Sequence, residues 1–225
     1  MCMDAMNEIL DRIGTIGIVP VVVIDRAEDA PRLGEALCDG GLPCAEVTFR
    51  TEAAAEAIAV LKREFPHMLV GAGTVLTPRQ ADQAMEAGAA FLVSPGLNVK
   101  LLDYCLGQNY PMIPGCMTPG EIEQAMERGL RTVKFFPAEA AGGIRFIRAL
   151  AAPYRDVRFM PTGGIHAGNV EEYLAFDRVL ACGGSWMVKG DLIAAGDFDR
   201  IRQLTREAVQ LVARCRGTRA ERSAG

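Results

Sequence analysis

Thr132-Val133-Lys134-Phe135-Phe136-Pro137 is the stretch on which the reading of this chain turns. It is short, β-branched and aromatic, and a proline closes it, so it predicts a buried strand. On either side lie segments with helical periodicity, 119–128 and 144–151. A buried strand between two helices is the unit of a parallel sheet. The same alternation repeats outward in both directions. Strands are expected over 16–24, 44–49, 69–75, 91–94, 111–114, 132–135, 157–160 and 178–181, eight in all. Helices are expected over 29–38, 52–64, 78–87, 99–106, 119–128, 144–151 and 167–176, with a short one at 4–13 and a last one near 198–214. Thr77-Pro78 and Thr118-Pro119 each place a capping residue before a proline at the first helical position. Gly40, Gly88 and Gly129 follow helices as terminators.

Eight strands alternating with helices point to an α/β fold of the (β/α)₈ TIM-barrel type. The reading is one domain over 1–213 with a short N-terminal helix, followed by an Arg-rich, disordered tail over 214–225. An open doubly wound sheet is the competing fold. The first strand, containing Val19-Pro20-Val21-Val22, leads into no dinucleotide-binding glycine pattern.

Composition narrows the function. Half of the 225 residues are hydrophobic and 23% are charged, as in an ordinary globular protein. A net charge of −4 supplies no basic face for nucleic acid. No apolar run approaches the roughly 20 residues that span a bilayer, so no membrane association is expected. The first residues carry acids and no signal-like apolar core, so the expected location is cytoplasmic. The seven cysteines are odd in number and none stands in a C-x-x-C pair, which suits reduced thiols. The two histidines, His67 and His166, lack a neighbour at metal-ligand spacing.

Lys134 is the chemical anomaly. Burying an ammonium group costs several kcal/mol unless it is paired or neutral. Burial favours the neutral amine, a nucleophile toward ketones, so a Schiff-base role follows. The competing reading is a lysine on an edge strand that reaches out to solvent. In a barrel, the active site lies at the C-terminal ends of the strands. Polar and glycine-rich residues gather there. Glu46, Thr48 and Arg50 alternate onto one face of the second strand. The third strand ends in Gly71-Ala72-Gly73-Thr74, the fourth in Ser94-Pro95-Gly96. Thr162-Gly163-Gly164 follows the seventh strand and Gly183-Gly184-Ser185 the eighth. Read separately, Glu46 could be a structural ion-pair partner and each Gly-Gly a plain turn. Two such turns after consecutive strands form an expected phosphate cradle of backbone N–H groups.

Glu46-Val47-Thr48-Phe49-Arg50-Thr51, Gly71-Ala72-Gly73-Thr74-Val75, Ser94-Pro95-Gly96, Lys134-Phe135-Phe136-Pro137-Ala138-Glu139, Pro161-Thr162-Gly163-Gly164-Ile165 and Gly183-Gly184-Ser185-Trp186 occur in order along nearly the whole chain. The series resembles that of the bacterial 2-keto-3-deoxy-6-phosphogluconate (KDPG) and 4-hydroxy-2-oxoglutarate (KHG) aldolases. The resemblance implies a class I aldolase without metal or other cofactor, a TIM barrel, a homotrimer and a place in Entner–Doudoroff carbohydrate metabolism. It implies Lys134 as the Schiff-base residue and Glu46 as general acid/base. Arg50 and Thr74 would meet the pyruvate carboxylate, and Pro95, Phe136 and Thr162 the rest of the substrate. Gly163, Gly164, Gly184 and Ser185 would hold phosphate. The segment 115–120 matches less tightly, and Met117 within it is a further candidate for substrate contact. Cleavage of the galactonate epimer, a phosphosugar isomerase and a non-enzymatic phosphate-binding barrel are the rival readings.

Overall fold

The computed structural model describes residues 2–223, and the side chains of residues 6–216. In chain order the elements are α1 (Cys2–Ile16), β1 (Ile18–Val22), α2 (Ala30–Asp39), β2 (Cys44–Thr48), α3 (Ala54–Glu64), β3 (Leu69–Gly73), α4 (Pro78–Glu86), β4 (Leu92–Val93) and α5 (Val99–Gly107). Then come β5 (Met112–Ile113), α6 (Pro119–Glu127), β6 (Thr132–Phe135), α7 (Gly143–Ala151), β7 (Arg158–Pro161), α8 (Val170–Leu174), β8 (Cys182–Gly184), α9 (Gly190–Ala194) and α10 (Phe198–Ser223). Every recorded strand pairing is parallel, which makes this an α/β protein. One sheet runs β5-β4-β3-β2-β1-β8 and a second pairs β6 with β7. Single parallel bridges cross both gaps, Gly115 to Lys134 and Thr162 to Gly183.

The strands separate two cores. Ala45, Val47, Val70, Ala72, Val133 and Phe135 face the helices in the larger one. Val19, Cys44, Leu69, Phe91, Ile113 and Met160 face the other way and meet Met6, Leu10 and Ile13 of α1. The N-terminal helix thus closes the inner face at the strands' N-terminal end. Ile13 is fully buried there, and burying such a side chain stabilises by roughly 1.5–3 kcal/mol. Side chains alternate between faces along a strand. Glu46, two residues beyond Cys44, therefore lies on the inner face, nearer the strands' C-terminal ends. Lys134, between outward Val133 and Phe135, lies there too. The helix starts follow the sequence: Thr77 accepts the Gln80 N–H, and Thr118 with Glu121 forms a reciprocal capping box. Each such cap is worth about 1 kcal/mol.

The structure departs from the sequence reading in four places. The eighth strand pairs with β1 through Cys182–Gly184, not through 178–181. Gly183-Gly184 is therefore strand, not turn. Its glycines are needed because a Cβ on Gly183 would lie 2.3 Å from Thr162 Oγ1 and one on Gly184 2.0 Å from the Trp186 ring. Val179 keeps only an isolated bridge to Phe159. The terminator of α2 is Gly41, with φ of +83°, because Gly40 keeps helical φ. The short α9 was not expected. Finally, α10 continues through Ser223 without a break at residue 214, and Arg216 donates to the carbonyls of Gly14 and Thr15 at the end of α1.

Candidate active site

β6 delivers Lys134 and β2 delivers Glu46 to one point inside the strand layer, 88 residues apart in sequence. Lys134 Nζ donates to Glu46 Oε1 at 3.1 Å, with the lysine side chain 6% exposed and the glutamate fully buried. Lys134 is therefore not a surface lysine on an open edge. Its main chain is bonded on both sides of β6, to Pro114 and Cys116 at one seam and in register with β7 at the other. Removing one partner from so buried a pair typically destabilises by about 3–5 kcal/mol. The second carboxylate oxygen, Glu46 Oε2, is buried with no hydrogen-bond partner. A buried acceptor without a donor is expensive to keep. This oxygen is available to a hydroxyl or water brought to the site. Gly73 makes the space for that carboxylate, since a Cβ there would lie 2.2 Å from Glu46 Oε1.

Around the pair, the strand ends carry the other candidates. Thr74, just past β3, has φ of +55°. A β-branched residue in that region is strained by about 1–3 kcal/mol. Arg50 Nε donates to its hydroxyl at 3.2 Å, which ties the two side chains together. A cavity of about 320 Å³ opens beside them, lined by Arg50, Phe136, Thr162, Gly163, Gly184 and Ser185 among others. Arg50 thus shares one cavity with the glycines. Lys134, Glu46, Thr74 and Pro95 do not line it, but Lys134 Nζ sits 5.6 Å from the ring centroid of Phe136, which does. Thr162 Oγ1 is buried and unpartnered at the end of β7. Pro95 lies over the end of β5, where a Cβ on Gly115 would come within 2.3 Å of its carbonyl oxygen.

Some nearby groups are ruled out as nucleophiles. Burial, aided by Glu121, pushes the Cys116 thiol up to about 12, so it stays protonated and unreactive near neutrality. Among the described residues, no three His, Cys, Asp or Glu side chains cluster as a metal site. No described helix is long and apolar enough to cross a membrane.

The family description "KDPG and KHG aldolase" matches residues 9–204. The chain belongs to this aldolase family. A 2-dehydro-3-deoxy-phosphogluconate aldolase of Treponema pallidum is 53% identical over 207 residues, covering 92% of this aldolase and 99% of that one. A solved KDPG aldolase of Legionella pneumophila, with pyruvate captured at low pH as a covalent carbinolamine intermediate, is 41% identical, with a TM-score of 0.82 over 86% of this chain and 96% of that one. The Zymomonas mobilis KDPG aldolase, solved with 3-phosphoglycerate, is 40% identical, with a TM-score of 0.82 over 89% and 94% of the two chains.

Three features of this aldolase escaped the sequence reading. Lys189, on the turn after β8, lines the same cavity as Ser185. Tyr173 donates to Glu139 Oε1, fixing the segment after Lys134 against α8. Asn169 bonds the loop after β7 through both ends of its amide. Only Lys189 left a trace in the sequence, as a lone cation shortly after a strand end.

Proposed function

We propose that this chain cleaves 2-keto-3-deoxy-6-phosphogluconate to pyruvate and glyceraldehyde 3-phosphate, and 4-hydroxy-2-oxoglutarate to pyruvate and glyoxylate, through a Schiff base on Lys134. The observation that carries this is the buried Lys134–Glu46 contact at 3.1 Å beside a glycine-rich cavity. The amine adds to the C2 ketone to give a carbinolamine, and loss of water gives an iminium. Glu46, through Oε2 or a water on it, takes the proton of the C4 hydroxyl. The C3–C4 bond then breaks, its electron pair flows into the iminium, and the aldehyde leaves. A proton from Glu46 to C3 of the enamine and hydrolysis free pyruvate and the lysine. The iminium is the electron sink, so the chemistry calls for no metal or organic cofactor.

Arg50, its Nε held by Thr74, has its terminal nitrogens left for the substrate carboxylate. Phe136, Pro95 and Thr162 complete the walls. The backbone N–H groups of the loop after β7, with Ser185 after β8, take the phosphate; Gly183 and Gly184 keep the strand beneath it narrow. An isomerase on a phosphosugar would share this cradle but has no use for a buried lysine–glutamate pair at the strand ends.

The scaffold for this chemistry is a closed (β/α)₈ barrel formed by residues 1–213 as one unit. The parallel bridges at both seams and the single inner core support closure. The working form is a homotrimer, to which the exposed apolar Leu76, Met117 and Phe146 can contribute contact area. Its place is the cytoplasm, where a reducing milieu suits the six described free cysteines. Purified protein given each substrate tests the reading. Pyruvate release, followed by a lactate dehydrogenase couple, should occur with both. Release from neither ends it.

A further inference from the structure

The loop after β7 has its carbonyls tied on one side. Thr162 O accepts from Ala138 N at 2.8 Å and Gly163 O from Glu139 N at 3.0 Å. Gly164 O accepts from Asn169 Nδ2 at 3.0 Å. In a trans peptide, the carbonyl of one residue and the N–H of the next point in opposite directions. Fixing these three carbonyls therefore aims the N–H groups of Gly163, Gly164 and Ile165 the other way. Those three residues line the cavity, whereas Ala138, Glu139 and Asn169 do not. The Gly163 N–H faces the Gly183 carbonyl across the β7–β8 bridge, and among the described residues the N–H groups of Gly164 and Ile165 have no acceptor. A run of unpaired N–H groups facing a cavity is an anion cradle.

Two of the three carbonyls are held by backbone, which any sequence would supply. The third depends on one side chain. We infer that Asn169 is a positioning residue for the anion cradle, and that it sets the preference for phosphorylated over unphosphorylated substrate. The inference rests on the phosphate subsite proposed above. Asn169 Oδ1 accepts the His166 N–H at 2.8 Å, and that bond fixes the orientation of its amide. The NH₂ group must then face Gly164 O. With this bond, the Gly164–Ile165 peptide is locked with its N–H toward the cavity. Without it, the peptide is free to turn, because Gly164 tolerates many conformations.

Asn169→Asp is the discriminating change. It has the same shape and keeps the acceptor for His166 N–H, so the entry to α8 is preserved. It sets an oxygen against Gly164 O, where the donor stood, and turns that peptide. The KM for 2-keto-3-deoxy-6-phosphogluconate should rise about tenfold, roughly the worth of one hydrogen bond to the anion. The inhibition constant of inorganic phosphate should rise by a similar factor. KM for 4-hydroxy-2-oxoglutarate should stay within about twofold, since it has no phosphate for the cradle to bind. If the Asp variant does not fold, Asn169→Ala, which adds no charge but gives up the His166 bond as well, is read by the same ratio of the two KM values. Equal losses on both substrates, or no change in phosphate inhibition, would show that Asn169 only shapes the helix entry and overturn the inference. Wild-type protein that neither cleaves the phosphorylated substrate nor feels phosphate would remove the subsite itself, and this role with it.

Discussion

Gly73→Ala adds one methyl group at the point where the chemistry is most sensitive to position. A Cβ at residue 73 would lie 2.2 Å from Glu46 Oε1, 2.7 Å from its Cγ and 2.8 Å from its Cδ. Ordinary contact begins near 3.4 Å, so the carboxylate must retreat by about 1.2 Å. Glu46 has little room to do so, because it is fully buried and its Oε1 is bonded to Lys134. The backbone itself accepts alanine, since Gly73 is not among the positive-φ glycines. A displacement of about 1 Å in a catalytic group costs on the order of 10²-fold in rate. The crowding should destabilise by about 1–3 kcal/mol. The assay is exchange of the pyruvate methyl protons with solvent, followed by NMR, which isolates proton transfer at C3. Gly107→Ala is the control, because a Cβ there meets nothing within 4 Å. Exchange should fall about 10²-fold in Gly73→Ala and be unchanged in the control. Exchange at the wild-type rate in folded Gly73→Ala would refute the placement of Glu46 as the acid/base.

Glu46→Gln should keep slow imine formation but lose proton transfer by about 10²–10⁴-fold, again read from methyl-proton exchange; an unchanged rate would take Glu46 out of the mechanism. The thiols of Cys44 and Cys116 are pushed up to about 12 and that of Cys105 to about 11, in each case first by burial. Their thiolates form only as the pH climbs toward those values, so iodoacetamide on the native protein at pH 8 should spare all three and, among the cysteines whose side chains are described, reach the half-buried Cys38 and Cys215 first. Rapid labelling of Cys116 without loss of fold would mean that the strand ends are open to solvent.

The chemistry was legible in the sequence because two charges interrupt apolar strands. Lys134 between Val133 and Phe135, and Glu46 between Ala45 and Val47, fall on the inner face by parity alone. The capped helices were legible for the same local reason, a threonine before a proline. The eighth strand was not. Gly183-Gly184 has the composition of a turn, but pairing with β1 makes it a strand, and the bulk of Thr162 and Trp186 standing where two Cβ atoms would go is why it must be glycine. Glu139 with Tyr173, and Asn169 with Gly164, are side-chain contacts made between loops and α8, without any periodic signature. Lys189 reads as a surface charge until the turn after β8 brings it to the cavity wall.

The most direct test of the central claim is to incubate the protein with pyruvate, reduce with borohydride, digest and locate the added mass. A stable adduct is expected on the peptide carrying Lys134, formed in step with loss of activity and prevented when Lys134 is replaced by methionine. An adduct on Lys62, Lys100 or Lys189 instead, or full activity surviving Lys134→Met, would contradict it.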